Sequence, residues 1–93
     1  MTEKEIKLVE ENIPLALHVA KRWIEVTGMD RDDVISAAEY GLVKAARGFD
    51  PDRGRFSTYA GRIMENEIRM ELRKHSRRSR EMHLEDPIDR SEG

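Results

Sequence analysis

Arg62, Asn66, Arg69 and Arg73 recur at helical spacing within FSTYAGRIMENEIRMELRK, Phe56 to Lys74. At about 100° per residue they form one polar stripe, while Ala60, Met64, Ile68 and Leu72 form an apolar stripe roughly opposite. Three guanidiniums around one amide supply phosphate contacts and an adenine-type hydrogen-bonding group on a single face. Phe56 and Tyr59 stand at the start of the same segment, where an unstacked base could lie against a ring. This is chemistry for binding a polyanion with some base preference.

Composition limits the alternatives. Ninety-three residues with 38% hydrophobic content and five aromatic side chains make one small domain with a mainly aliphatic core, too small to expect a catalytic cleft. Without cysteine the chain has neither disulfides nor thiolate metal sites, which fits a reducing cytoplasmic setting. His18, His75 and His83 are scattered, and none is read as pairing with a carboxylate at ligand-like helical spacing, so neither a metal nor another cofactor is expected. The acidic N-terminus and short apolar runs offer no secretory or membrane-spanning segment.

The net charge of −2 hides three blocks. Residues 1–52 carry 7 basic and 11 acidic side chains (−4), residues 53–80 carry 9 and 3 (+6), and residues 81–93 carry 1 and 5 (−4). The positive charge therefore follows the Phe56 segment and its extension through Arg73, Lys74, Arg77, Arg78 and Arg80. One element meeting a polyanion gives this pattern, and so does a solvated helix end; the adjacent rings and Asn66 favour the former.

The elements that must position these residues read as all-α, a compact bundle of about four helices. Thr2 and Glu5 make a capping box for the first, and Pro14 kinks or restarts it with Asn12 as a new cap. A second segment, residues 13–26, places Leu17, Ala20 and Ile24 on one face and ends near Gly28. Asp30 is expected to cap a third helix that buries Val34, Ile35, Ala38, Leu42, Ala45 and Ala46 and closes at Gly48. Asp50-Pro51-Asp52-Arg53-Gly54 is a turn by its chemistry, and Ser57 is expected to cap the long fourth helix. Residues 1–80 thus form the domain and residues 81–93 read as a linker. Glu67 and Glu71 fall near the apolar arc, where helix-end exposure or pairing with an arginine would accommodate them.

Three motifs in register resemble region two of bacterial RNA polymerase sigma factors: AKRW (Ala20–Trp23), DVISAAEYGLVKAARGFDPDRG (Asp33–Gly54) and FSTYAGRIMENEIRMELRK (Phe56–Lys74). The resemblance covers about residues 8–78. ENEI at Glu65–Ile68 and EDPI at Glu85–Ile88 are most similar to sporulation sigma factors of the mother-cell type. It implies a non-enzymatic transcription initiation factor domain that docks on polymerase core and recognises and melts the minus-ten promoter element by capturing the non-template strand. An anti-sigma protein is a further implied partner.

On the family pattern the third helix docks on a coiled coil of the core, with Asp33, Ser36, Ala37 and Tyr40 facing outward; the usual DLIQEG is here DVISAA, so Tyr40 or Glu39 compensates or the docking partner differs. Tyr59 matches the ring that stacks on a flipped-out adenine, and Phe56 a neighbouring aromatic that reads equally well as core. Asn66 and Arg69 match positions facing the upstream base pair, and Arg55, Arg62, Arg73 and Lys74 complete the expected DNA face. Arg62 and Ile63 stand where primary sigma factors carry a Trp pair, which implies weaker, more sequence-dependent melting. Trp23 reads mainly as a packing residue.

The length leaves no room for the downstream helix-turn-helix domain of full-length relatives, so a fragment cut in the linker or a short split protein is expected. The competing reading from another class is a polymerase- or anti-sigma-binding module, a split half or decoy that reads no DNA. A stand-alone helix-turn-helix repressor fits less well, because no short turn joins two helices ahead of a recognition helix.

Overall fold

Thr2 opens the chain's first helix as expected: its hydroxyl accepts from Glu5 N, and the Glu5 carboxylate accepts from Thr2 N. A computed structural model describes the backbone over residues 1–84 and side chains over residues 1–77, with α1 at Glu3–Glu11, α2 at Ile13–Thr27, α3 at Arg31–Gly48, a 3₁₀ turn at Pro51–Arg53 and α4 at Phe56–Leu84. The fold is an all-α bundle, and no strand occurs among the described residues.

The helix boundaries follow local chemistry with three corrections. Pro14 restarts the chain in the first turn of α2, where its missing N–H is not needed. Asn12, however, does not cap α2 with its side chain; its amide turns back and donates to Leu8 O at the end of α1. Asp30 holds the N-cap position of α3 without a side-chain bond, so the benefit of its carboxylate there is one of charge. Ser57 lies inside α4, because the Arg55 carbonyl already accepts from Tyr59 N at 3.2 Å. Gly28 does end α2, in the left-handed region at φ 71°, with its N–H donating to Ile24 O. In the 50–54 turn the Asp50 carboxylate accepts from Asp52 N, and Gly54 takes φ 123°.

α3 and α4 form the centre, with α2 packed on both. Ala60, Met64 and Ile68 are fully buried against Val34, Ala38, Leu42 and Ala45, as the apolar stripes predict, while Leu72 is half-buried. α2 differs from expectation: Ala16, Val19 and Ala20 are buried, whereas Leu17 is 44% exposed. Leu17 lies about 100° round the helix from Ala16, off the arc that Val19, Ala20 and Trp23 share. The helices cross closely at Gly41, where an added methyl would sit 2.7 Å from Met64 Cα. Only glycine fits that approach without backbone movement.

Glu67 explains its own place near the apolar arc. It is 9% exposed, and its Oε2 lies 2.6 Å from Lys44 Nζ on α3, so the charge is buried with a partner, a lysine rather than an arginine. α4 also continues to Leu84, four residues into the stretch read as linker; residues 85–93, including the EDPI motif, lie outside the described residues.

Candidate nucleic-acid and docking faces

The polar stripe of α4 reaches solvent as a unit. Arg62, Asn66, Arg69 and Arg73 are all exposed, and none of the three arginines pairs with a carboxylate among the described residues. Arg69 is aimed rather than loose: its guanidinium lies 5.6 Å from the centre of the Trp23 ring, so Trp23 joins packing to a cation–π contact. Arg55 is exposed immediately ahead of the helix. Arg77, also exposed, prolongs the basic surface, and the side chains of Arg78 and Arg80 lie outside the described residues.

Three rings gather where α3 hands over to α4. Phe49 meets Phe56 nearly edge-on, centroids 5.1 Å apart at 80°, and lies 6.0 Å from the Tyr59 ring. Phe56 is half-buried and packs on the core, which favours its packing role. Tyr59 is 37% exposed and donates its hydroxyl to Gly48 O at 3.3 Å. The ring is thus held by its rim while part of it faces solvent. Gly48, Phe49, Asp50, Arg53 and Tyr59 line a small hollow here. Sequence reading passed over Phe49; its signal was a lone ring bordering the Asp50 turn.

Lys74 stands between two sides. It lines a hollow with Met70, Arg73, Ser76 and Arg77, projects about 100° beyond Arg73, lies 3.8 Å from Glu71, and also lines a groove with Asp33, Ser36, Ala37 and Tyr40. Those four α3 residues do share one side: Tyr40 is 59% exposed, Ser36 is exposed, and Asp33 and Ala37 are half-buried. Across the groove Met70 contributes apolar surface. Charges on this side are already matched internally. Lys44 pairs with Glu67 and stands 5.5 Å from the Tyr40 ring, and its ammonium is pushed above the ordinary lysine value chiefly by the hydrogen bond to Glu67, with burial opposing.

His75 corrects the sequence reading of the histidines. It stands four residues after Glu71 on α4, Nε2 to Oε2 3.5 Å, and reaches Asp33 Oδ2 on α3 at 2.9 Å. The spacing was present in the sequence; the contribution of Asp33 was not, being 42 residues away. No described helix is long and apolar enough to cross a membrane.

Comparison of the sequence with known proteins points to one family. The Sigma-70 region 2 family model matches residues 8–78. Similar proteins include the RNA polymerase sigma-28 factor of Bacillus thuringiensis subsp. kurstaki, 40% identical over 82 residues (87% of this chain, 34% of the relative). The RNA polymerase sigma-E factor of Clostridium acetobutylicum is 37% identical over 83 residues (88% and 35%), and the sigma-K factor of Bacillus subtilis 40% identical over 62 (66% and 21%). These names agree with the resemblance to sporulation-type factors, and the chain spans about a third of the length of the first two. With a family match over most of its length and the helical bundle that the resemblance implies, the chain belongs to the Sigma-70 region 2 family.

Proposed function

We propose that this chain acts as the region-two part of a transcription initiation factor, docking on RNA polymerase core and capturing the non-template strand of a minus-ten promoter element. The observation that carries this reading is the α4 stripe: Arg62, Asn66, Arg69 and Arg73 are exposed together, the arginines without carboxylate partners among the described residues, beside a part-exposed Tyr59. Arginines left unpaired by the fold are available to phosphates, and a rim-held ring is available to a base. Asn66, with two donors and an acceptor on one amide, suits the edge of an adenine. The α3 side with Asp33, Ser36, Ala37 and Tyr40 is the docking surface of this reading, and Lys74 borders both that side and the DNA face.

The role is non-enzymatic, exercised in the cytoplasm where polymerase works, and open to control by an anti-sigma protein that covers either face. One flipped base stacked on Tyr59 is worth roughly 1–3 kcal/mol, enough to bias strand opening without driving it alone. The four helices carry this work.

The test is a pull-down of polymerase core by the chain, followed by binding of the complex to single-stranded minus-ten DNA. Tyr59→Ala should leave core capture intact and weaken DNA binding by roughly 1–3 kcal/mol, with lost discrimination at the flipped position. Core capture with no DNA preference that Tyr59→Ala alters would support the interaction-module reading instead.

A further inference from the structure

We propose that Asp33, Glu71 and His75 form a site for a divalent transition metal of the zinc class that clips α3 to α4. They are the one grouping of three such side chains among the described residues whose ligand atoms all lie within 4.8 Å of one another. Glu71 and His75 stand one helical turn apart, so their side chains project to the same side, and Asp33 enters from the facing helix. His75 Nε2 lies 2.9 Å from Asp33 Oδ2 and 3.5 Å from Glu71 Oε2. In a tetrahedral site with ligands at about 2.0–2.1 Å from zinc, neighbouring ligand atoms are about 3.3 Å apart. The two distances bracket that value and the third pair, Asp33 with Glu71, lies within 4.8 Å, so the carboxylates can close on a metal by side-chain rotation.

The donor set selects the ion. One imidazole and two carboxylates suit zinc, cobalt or nickel, whereas calcium takes six to eight oxygens that this corner does not offer. All three residues are half-buried, which limits their freedom before the ion arrives, and solvent can supply the fourth ligand. Lys74 works against the ion: its ammonium lies 3.8 Å from Glu71 Oε1 and competes for that carboxylate. The site stands on this geometry whatever the chain docks on.

The experiment is calorimetric titration of zinc chloride into the 93-residue chain, paralleled by the visible absorption of added cobalt. One equivalent should bind saturably in the micromolar range and raise the melting temperature. His75→Ala should lower the affinity by roughly tenfold or more, and Asp33→Asn, which keeps the side-chain shape, should do likewise with helicity unchanged. Lys74→Gln should tighten binding, and His18→Ala, on the exposed side of α2, should change nothing. Absence of saturable binding up to millimolar zinc, or binding indifferent to both His75→Ala and Asp33→Asn, would overturn the site and leave a histidine bridging two carboxylates.

Discussion

The outward side of α3 and the outward stripe of α4 are both polar, yet their charges are disposed in opposite ways. On α3, Asp33 faces His75 and Lys44 holds Glu67 while standing over Tyr40. On α4, Arg62, Arg69 and Arg73 have no carboxylate partner among the described residues, and Arg69 rests on Trp23. A partner at the α3 side meets charges that must be exchanged or shared, so shape and apolar contact through Tyr40 and Met70 carry more of the recognition there. A partner at the α4 side meets cations that no described carboxylate neutralises. The first arrangement suits a protein surface and the second a phosphate backbone.

The comparison depends on the two helices staying locked, and the largest effect should come from breaking that lock. Gly41→Val would force branched bulk onto the Met64 backbone; overpacking of this kind costs about 1–3 kcal/mol or more, and thermal denaturation should show it as a fall of several degrees in Tm. An unchanged Tm would mean that the crossing yields easily and that the faces are not rigidly coupled.

A smaller loss is expected when the internal pairing on the α3 side is removed. Lys44→Met leaves the Glu67 carboxylate, 9% exposed, without its cation, so Tm should fall at neutral pH. Because Lys44 is held above its ordinary value of 10.5, the contribution of the pair is fully present below that pH and is lost as pH rises through the raised value. The Tm gap between wild type and variant should therefore close at strongly alkaline pH, and a gap that persisted there would assign the effect to packing.

The smallest change sharpens the α4 side. Arg73→Ala should leave Tm nearly unaltered, weaken DNA binding by the polymerase-bound chain about equally for all sequences, and reduce the salt slope by about one phosphate contact. A sequence-dependent loss would make Arg73 a base reader and erase its distinction from Asn66.

What the sequence made legible was local. The Thr2 capping box, the Gly28 stop, the Asp50–Gly54 turn and the two stripes of α4 each depend on residues within a turn or two of one another. Pairings across helices were not legible in the same way. Lys44 finds Glu67 across 23 residues, and Tyr59 finds the Gly48 carbonyl across 11, because the α3–α4 crossing brings them together. Leu17 was misfaced because Leu17–Ala20–Ile24 and Ala16–Val19–Ala20–Trp23 are both helical arcs, and only packing on α3 and α4 chooses between them. The Glu71–His75 spacing is itself local and legible, whereas Asp33, 42 residues from His75, joins it only through the packing of α3 on α4.

The bond from the Tyr59 hydroxyl to Gly48 O has a mechanical consequence. Gly48 is the last residue of α3, so the helix proposed to present the docking side also holds the rim of the ring proposed to meet the base. The ring is thus partly restrained before any partner arrives. Any tilt of α3 under the load of a large partner would swing the carbonyl and turn the ring with it. On the proposed function, the last turn of α3 would serve as a short lever arm, through which attachment at one side of the bundle would reset the angle of the aromatic surface at the other.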